Sequence, residues 1–79
     1  MSIHVEILWA LSKRLESYEA ELLTIGEVVL LNLRRNGQRV SYVSYASRAD
    51  ALTEAENYRM GLTFAGWSDP GLRADSRIA

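Results

Sequence analysis

Three arginines crowd around one turn signal. Arg34 and Arg35 precede the dipeptide Asn36-Gly37, and Arg39 follows it by two residues. Asn followed by Gly tolerates the positive φ that both central residues of a type I′ turn require. With a two-residue loop, Arg34 faces Arg39 across the strands and Arg35 faces Gln38. Like charges directly opposite one another destabilise a sheet. The pair therefore asks for an offsetting anion: a phosphate, an acidic patch on a partner, or a carboxylate of the same chain. The alternative is a solvated tip whose charges cost little in water and discourage edge-to-edge pairing.

Other chemistry is sparse. The chain has no cysteine and a single histidine, His4. Disulfides and Cys-based zinc sites are thereby excluded, and one histidine assembles no metal site. The run Gly61-Leu62-Thr63-Phe64-Ala65-Gly66 lacks the Lys-Ser/Thr that completes a phosphate loop. Glu16, Glu19 and Glu21 follow the spacing of a solvated face. Glu54 and Glu56 sit two apart on an expected helix and point in different directions. No enzyme, no cofactor and no metal are expected.

Composition points the same way. The 79 residues carry a net charge of −1 and are 48% hydrophobic. A general phosphate-backbone binder usually carries a basic excess. Of nine basic residues, eight are Arg and only Lys13 is Lys, which fits a GC-rich bacterial or bacteriophage genome. A domain this small buries roughly 60–65% of its unfolded surface, so self-association into a homodimer is a natural expectation. No apolar stretch reaches membrane-spanning length. The start, Met1-Ser2-Ile3-His4-Val5-Glu6, lacks a basic segment before an apolar one, so a cytoplasmic protein is expected.

The elements that must position these residues follow from periodicity. Leu8, Leu11, Leu15, Tyr18, Leu22 and Ile25 recur at spacings of three and four, which predicts a helix over 3–24, capped by Ser2 and closed by Gly26. Ile3, Val5 and Ile7 alternate with His4 and Glu6 in a strand-like way. No turn residue separates them from the stripe, so a continuous helix is preferred. A hairpin over 27–35 and 38–46 comes next. The tight turn places Leu33 opposite Val40, Leu31 opposite Tyr42 and Val29 opposite Ser44. One face then carries Val29, Leu31, Leu33, Val40 and Tyr42, and the other carries Val28, Leu30, Val43 and Tyr45. Both are apolar, unlike a sheet with one solvated face. Ser47 and Asp50 form a capping pair that opens a second helix over 48–60, with Gly61 beyond its end. Residues 62–67 leave a short third strand open. Asp69-Pro70-Gly71 reads as a turn.

The expected fold is α+β, helix–hairpin–helix (αββα), over 1–71, with a frayed tail over 72–79. The segment Arg35-Asn36-Gly37-Gln38-Arg39, the strand after it, and Ser47-Arg48-Ala49-Asp50-Ala51-Leu52 opening a helix resemble the hairpin-then-helix of arm-type DNA-binding domains in phage integrases. The resemblance covers about 28–60, and the chain departs from it in lacking a recombinase domain and a basic surplus. The expected function is a small non-catalytic interaction module, an inhibitor or adaptor encoded by a phage or mobile element, the broad class to which anti-CRISPR proteins belong. The partner would meet Arg34, Arg35, Arg39, Val28, Leu30, Val43 and Tyr45. The alternative is an accessory DNA-binding domain that uses the arginine-bearing tip.

Overall fold

The computed structural model describes residues 2–69. Four strands come first: β1 (Ile3–Lys13), β2 (Glu16–Ile25), β3 (Val28–Arg35) and β4 (Gln38–Tyr45). One helix, α1 (Arg48–Phe64), follows them. The strands form a single antiparallel meander in the order β1-β2-β3-β4, joined by two-residue turns. This replaces the helix–hairpin–helix expectation with β-β-β-β-α.

The expected helix over 3–24 is instead a second hairpin. Lys13 pairs with Glu16, and Arg14 supplies the turn at φ 57 without any glycine. A β-bulge explains the misleading spacing. Pairing steps from Ile7↔Glu21 to Trp9↔Ala20, which leaves Leu8 as the extra residue. Ile3, Val5 and Ile7 thus point to one face, while Trp9 and Leu11 point to the other with Tyr18 and Leu22. Across the bulge and the turn, alternation imitates a spacing of three and four.

Alternation then decides where α1 docks. Ala20, Leu22, Leu31 and Leu33 line one sheet face and are buried, and the small residues Ala51 and Ala55 of α1 meet them. Two alanines let the helix axis approach the sheet closely. Trp9 donates its indole N–H to the Ala55 carbonyl at 3.1 Å, which ties β1 to the helix.

Both helix ends have local causes. The Ser47 hydroxyl accepts from the Asp50 N–H at 3.1 Å, as the capping pair predicts. The helix does not stop near Gly61 but runs through it to Phe64. It ends in a Schellman motif: Gly66 takes φ 100, Gly66 N–H bonds the Thr63 carbonyl at 3.1 Å, and Trp67 N–H bonds the Leu62 carbonyl at 3.0 Å. The Lys13 ammonium bonds the Ala65 carbonyl at 2.7 Å, a cation at the negative end of the helix dipole. Residues 62–67 form no third strand. Only Ser68 pairs, through two backbone bonds to Ser12 on β1. The turn expected at 69–71 and the tail over 72–79 fall at or beyond the limit of the described residues. Within those residues, no helix is long and apolar enough to cross a membrane.

The Asn36-Gly37 turn takes the expected form, with φ of 54 and 82. Asn36 also reaches beyond its own hairpin: its N–H bonds the Ser17 carbonyl and its side-chain oxygen accepts the Ser17 N–H, both at 2.9 Å. A Cβ at Gly37 would meet no atom within 4 Å, so the penalty of a side chain there is purely backbone strain. Gly37→Val is expected to cost about 1–3 kcal/mol. Thermal melting checks this, at about 4–8 °C per kcal/mol for a domain of this size. An unchanged melting temperature would contradict the turn assignment.

Candidate functional site

Among the described residues a single helix covers one face of the sheet, and no element covers the other. Register makes the open face a stack of cross-strand rows. The row nearest the Gly26-Glu27 turn is Ile3, Ile25 and Val28. Next come Val5, Leu23, Leu30 and Ser44. The third is Ile7, Glu21, Asn32 and Tyr42, and the fourth is Ala10, Glu19, Arg34 and Arg39. The face is therefore apolar at one end and charged at the other. Ile3, Val5 and Ile7 on β1 and Val28 on β3 are each between 48% and 61% exposed, with the partly buried Leu23 and Ile25 of β2 between them. Isolated exposed aliphatics are ordinary, whereas a contiguous set marks an interaction surface.

The charged end is internally wired. Asn32, only 2% exposed, donates from its side-chain amide to Glu21 Oε1 at 2.9 Å. The same carboxylate oxygen lies 3.1 Å from the Arg34 guanidinium, which also sits 3.7 Å from Glu19. Asn32 Oδ1 accepts from Arg39 Nε at 3.1 Å, and the Arg39 guanidinium carbon lies over the Tyr42 ring, 4.1 Å from its centre. Of the facing pair, Arg34 finds its offset in the chain's own carboxylates, Glu19 and Glu21. Among the described residues Arg39 has no carboxylate within salt-bridge distance, so its charge stays available while its orientation is fixed.

The residues singled out from sequence separate onto two faces. Arg34, Arg39, Val28 and Leu30 share the open face. Arg35 lies on the helix side, 2.7 Å from Glu16 and 5.8 Å from the Trp67 ring centre, so the three arginines do not converge. Val43 and Tyr45 also belong to the helix side. A second bulge is the cause: pairing steps from Arg34↔Arg39 to Leu33↔Ser41, leaving Val40 extra. Every β4 side chain beyond it changes face relative to an unbulged ladder. Val29 is consequently opposite Tyr45, Leu31 opposite Val43, and Tyr42 sits with Asn32 on the open face. Sequence reasoning missed Ile3, Val5, Ile7, Glu21, Asn32 and Tyr42. The signals were the alternation of Ile3-Val5-Ile7 and a polar Asn32 interrupting an otherwise apolar strand.

The helix side carries surface ion pairs. Glu6 is held below the ordinary carboxylate range by its hydrogen bonds to Arg48, as are Glu16 by Arg35 and Glu56 by Arg59. Burial pushes the Tyr18 and Tyr45 hydroxyls up. Among the described residues, no group of three or more His, Asp or Glu is placed to hold a metal ion. No family model, curated protein or solved structure matches the chain.

Proposed function

We propose that this protein is a small non-catalytic interaction module that docks another polypeptide on the open face of its sheet. One observation carries the reading. Ile3, Val5 and Ile7 of β1 and Val28 of β3, bridged by Leu23 and Ile25 of β2, form a half-exposed aliphatic surface beside a polar network whose members are held in place. An apolar area bordered on one side by fixed polar and charged groups suits a protein interface, which joins an apolar core to a polar rim. An inhibitor or adaptor works through such a surface without chemistry of its own. A DNA-binding role has less support, because Arg34 and Arg35 already face carboxylates and are not free to neutralise phosphate.

Ile7→Lys tests the reading. The position is exposed, so stability should change by no more than about 0.5 kcal/mol. Circular dichroism and melting should match the wild type, while co-purification of the polypeptide partner is lost. Retention of the same partner by the variant would overturn the reading. Neither protein should retard a generic DNA duplex at about 150 mM salt. Retardation that disappears on Arg34→Ala, Arg35→Ala and Arg39→Ala together would promote the DNA-binding alternative.

A further inference from the structure

We infer that two copies of this chain join through the outer edge of β1, paired antiparallel about a two-fold axis that passes through Val5 and stands normal to the sheet. The two four-stranded sheets then form one eight-stranded sheet, with both helices on one side and both open faces on the other.

The direction of the backbone defines what this edge offers. Ile25 and Val28 flank a two-residue turn and form a hydrogen-bonded pair, so Leu23, Glu21 and Glu19 also turn their amides towards β3. Thr24, Leu22 and Ala20 therefore serve β1, where they meet His4, Glu6 and Trp9. That leaves Ile3, Val5 and Ile7 with N–H and C=O groups aimed outward, and no described residue bonds them. The outward set ends at Ile7, because the bulge at Leu8 turns Trp9 back towards β2. Ser68 meets the same edge only beyond the bulge, at Ser12. The helix packs chiefly against β3 and β4, away from this edge. The edge formed by β4 carries a bulge at Val40 beside Arg39, devices that discourage pairing. Residues 3–7 have no bulge, lysine or proline.

Ile3-His4-Val5-Glu6-Ile7 complements itself in one register. With Val5 opposite Val5 of the second copy, Ile3 lies opposite Ile7 on both sides of the axis. Each of these pairs exchanges two N–H···O bonds, so every outward group from Ile3 to Ile7 is used. Between them His4 lies opposite Glu6 twice, as an isologous contact requires. These two are non-hydrogen-bonded pairs, whose side chains approach closely. Glu6 already holds Arg48 at 3.0 Å, and a carboxylate keeps further lone pairs for an imidazole N–H. Moving the axis to Glu6 would oppose two carboxylates and set Ile3 against Trp9, whose amide is committed to β2. Moving it to His4 would oppose two imidazoles and leave Ile7 past the end of the other strand, which begins at Ile3. In the favoured register the exposed side chains of Ile3, Val5 and Ile7 also meet in facing pairs. A ladder this short is at the small end of specific interfaces, so the association is reversible.

Sedimentation equilibrium tests the state, and cysteine pairing tests the register. The wild type should sediment at twice the 8.9 kDa chain mass at about 100 µM. Val5→Pro removes an outward N–H that β2 does not use, and an edge strand tolerates proline. It should keep the circular dichroism spectrum and raise the dimer dissociation constant at least about tenfold. The chain has no cysteine, so single introduced ones report cleanly. Facing His4 and Glu6 lie about 4.5 Å apart at Cα, within disulfide reach, whereas like positions lie two residues out of register, beyond the limit of about 7 Å. Under mild oxidation, a mixture of the His4→Cys and Glu6→Cys variants should therefore cross-link while neither does so alone. This arm stands even if Val5→Pro fails to fold. A wild-type monomer at that concentration, a folded Val5→Pro variant that dimerises as well as the wild type, or single cysteines that cross-link as fast as the mixture would overturn the inference. The pairing is separate from docking on the open face: if the wild type is monomeric and Ile7→Lys still releases another polypeptide, only the pairing falls.

Discussion

Leu31→Ala is expected to cost about 2–5 kcal/mol and to leave a measurable fraction of the chain unfolded at 25 °C. Leu31 is 2% exposed at the centre of the sheet, in one row with Leu22 and Val43, and it packs in the cluster of Ala20, Leu33 and Ala55. Truncation removes its transfer free energy and leaves a cavity. Four strands and one helix surround that space, so little can move in to fill it. A chain of this length has a total stability on the order of 4–12 kcal/mol, so one side chain accounts for a large share. Val43→Ala is the matched control: it lies in the same row on an edge strand, is 46% exposed, and should cost less than about 1 kcal/mol. Urea titration of both variants checks the pair. Equal losses would mean that the helix does not cover this face.

Asn32→Leu should be the next most damaging change, at about 2–3 kcal/mol. Asn32 is the hub of the open-face network, with Glu21 on one side of its amide and Arg39 on the other. Leucine keeps the branched heavy-atom skeleton and leaves no cavity, so the loss is that of the polar contacts. It comes from Glu21, which is itself mostly buried and would lose its amide donor, keeping only Arg34. The paired variant separates this cause from others. Removing both partners of a buried polar contact costs less than removing one. Glu21→Leu with Asn32→Leu should therefore recover part of the lost stability while making the face more apolar and the protein more prone to associate. If the double variant is as unstable as the sum of the two single ones, the Asn32–Glu21 bond is not what stabilises this end of the sheet.

What could be read from the sequence was whatever short-range chemistry determines. Asn36-Gly37 specifies its turn because few other dipeptides tolerate two positive φ values. Ser47 specifies the start of α1 because its hydroxyl satisfies a backbone N–H three residues on. The N-terminal hairpin was illegible for the opposite reason. Its turn uses Arg14 at positive φ, a position normally given to Gly or Asn, so no punctuation marks it. The bulges at Leu8 and Val40 have no local signature. They bring Leu8, Trp9, Val43 and Tyr45 to the helix side, a requirement set by an element whose first residue is Arg48. The candidate site suffered most, because one extra residue in a strand exchanges the faces of everything beyond it. Arg34 and Arg39 were placed together correctly because they lie between the bulge and the turn.

Photo-cross-linking from the open face tests the central claim most directly. Benzoylphenylalanine would replace Ile7 in one variant and the fully exposed Leu15, at the remote Arg14-Leu15 turn, in another. Both would be irradiated in cells producing the protein. The account predicts a discrete polypeptide adduct from position 7 and none from position 15, with the mass of the adduct reporting whether the partner is a second copy. An absence of any adduct from position 7, or the same adducts from both positions, would contradict it.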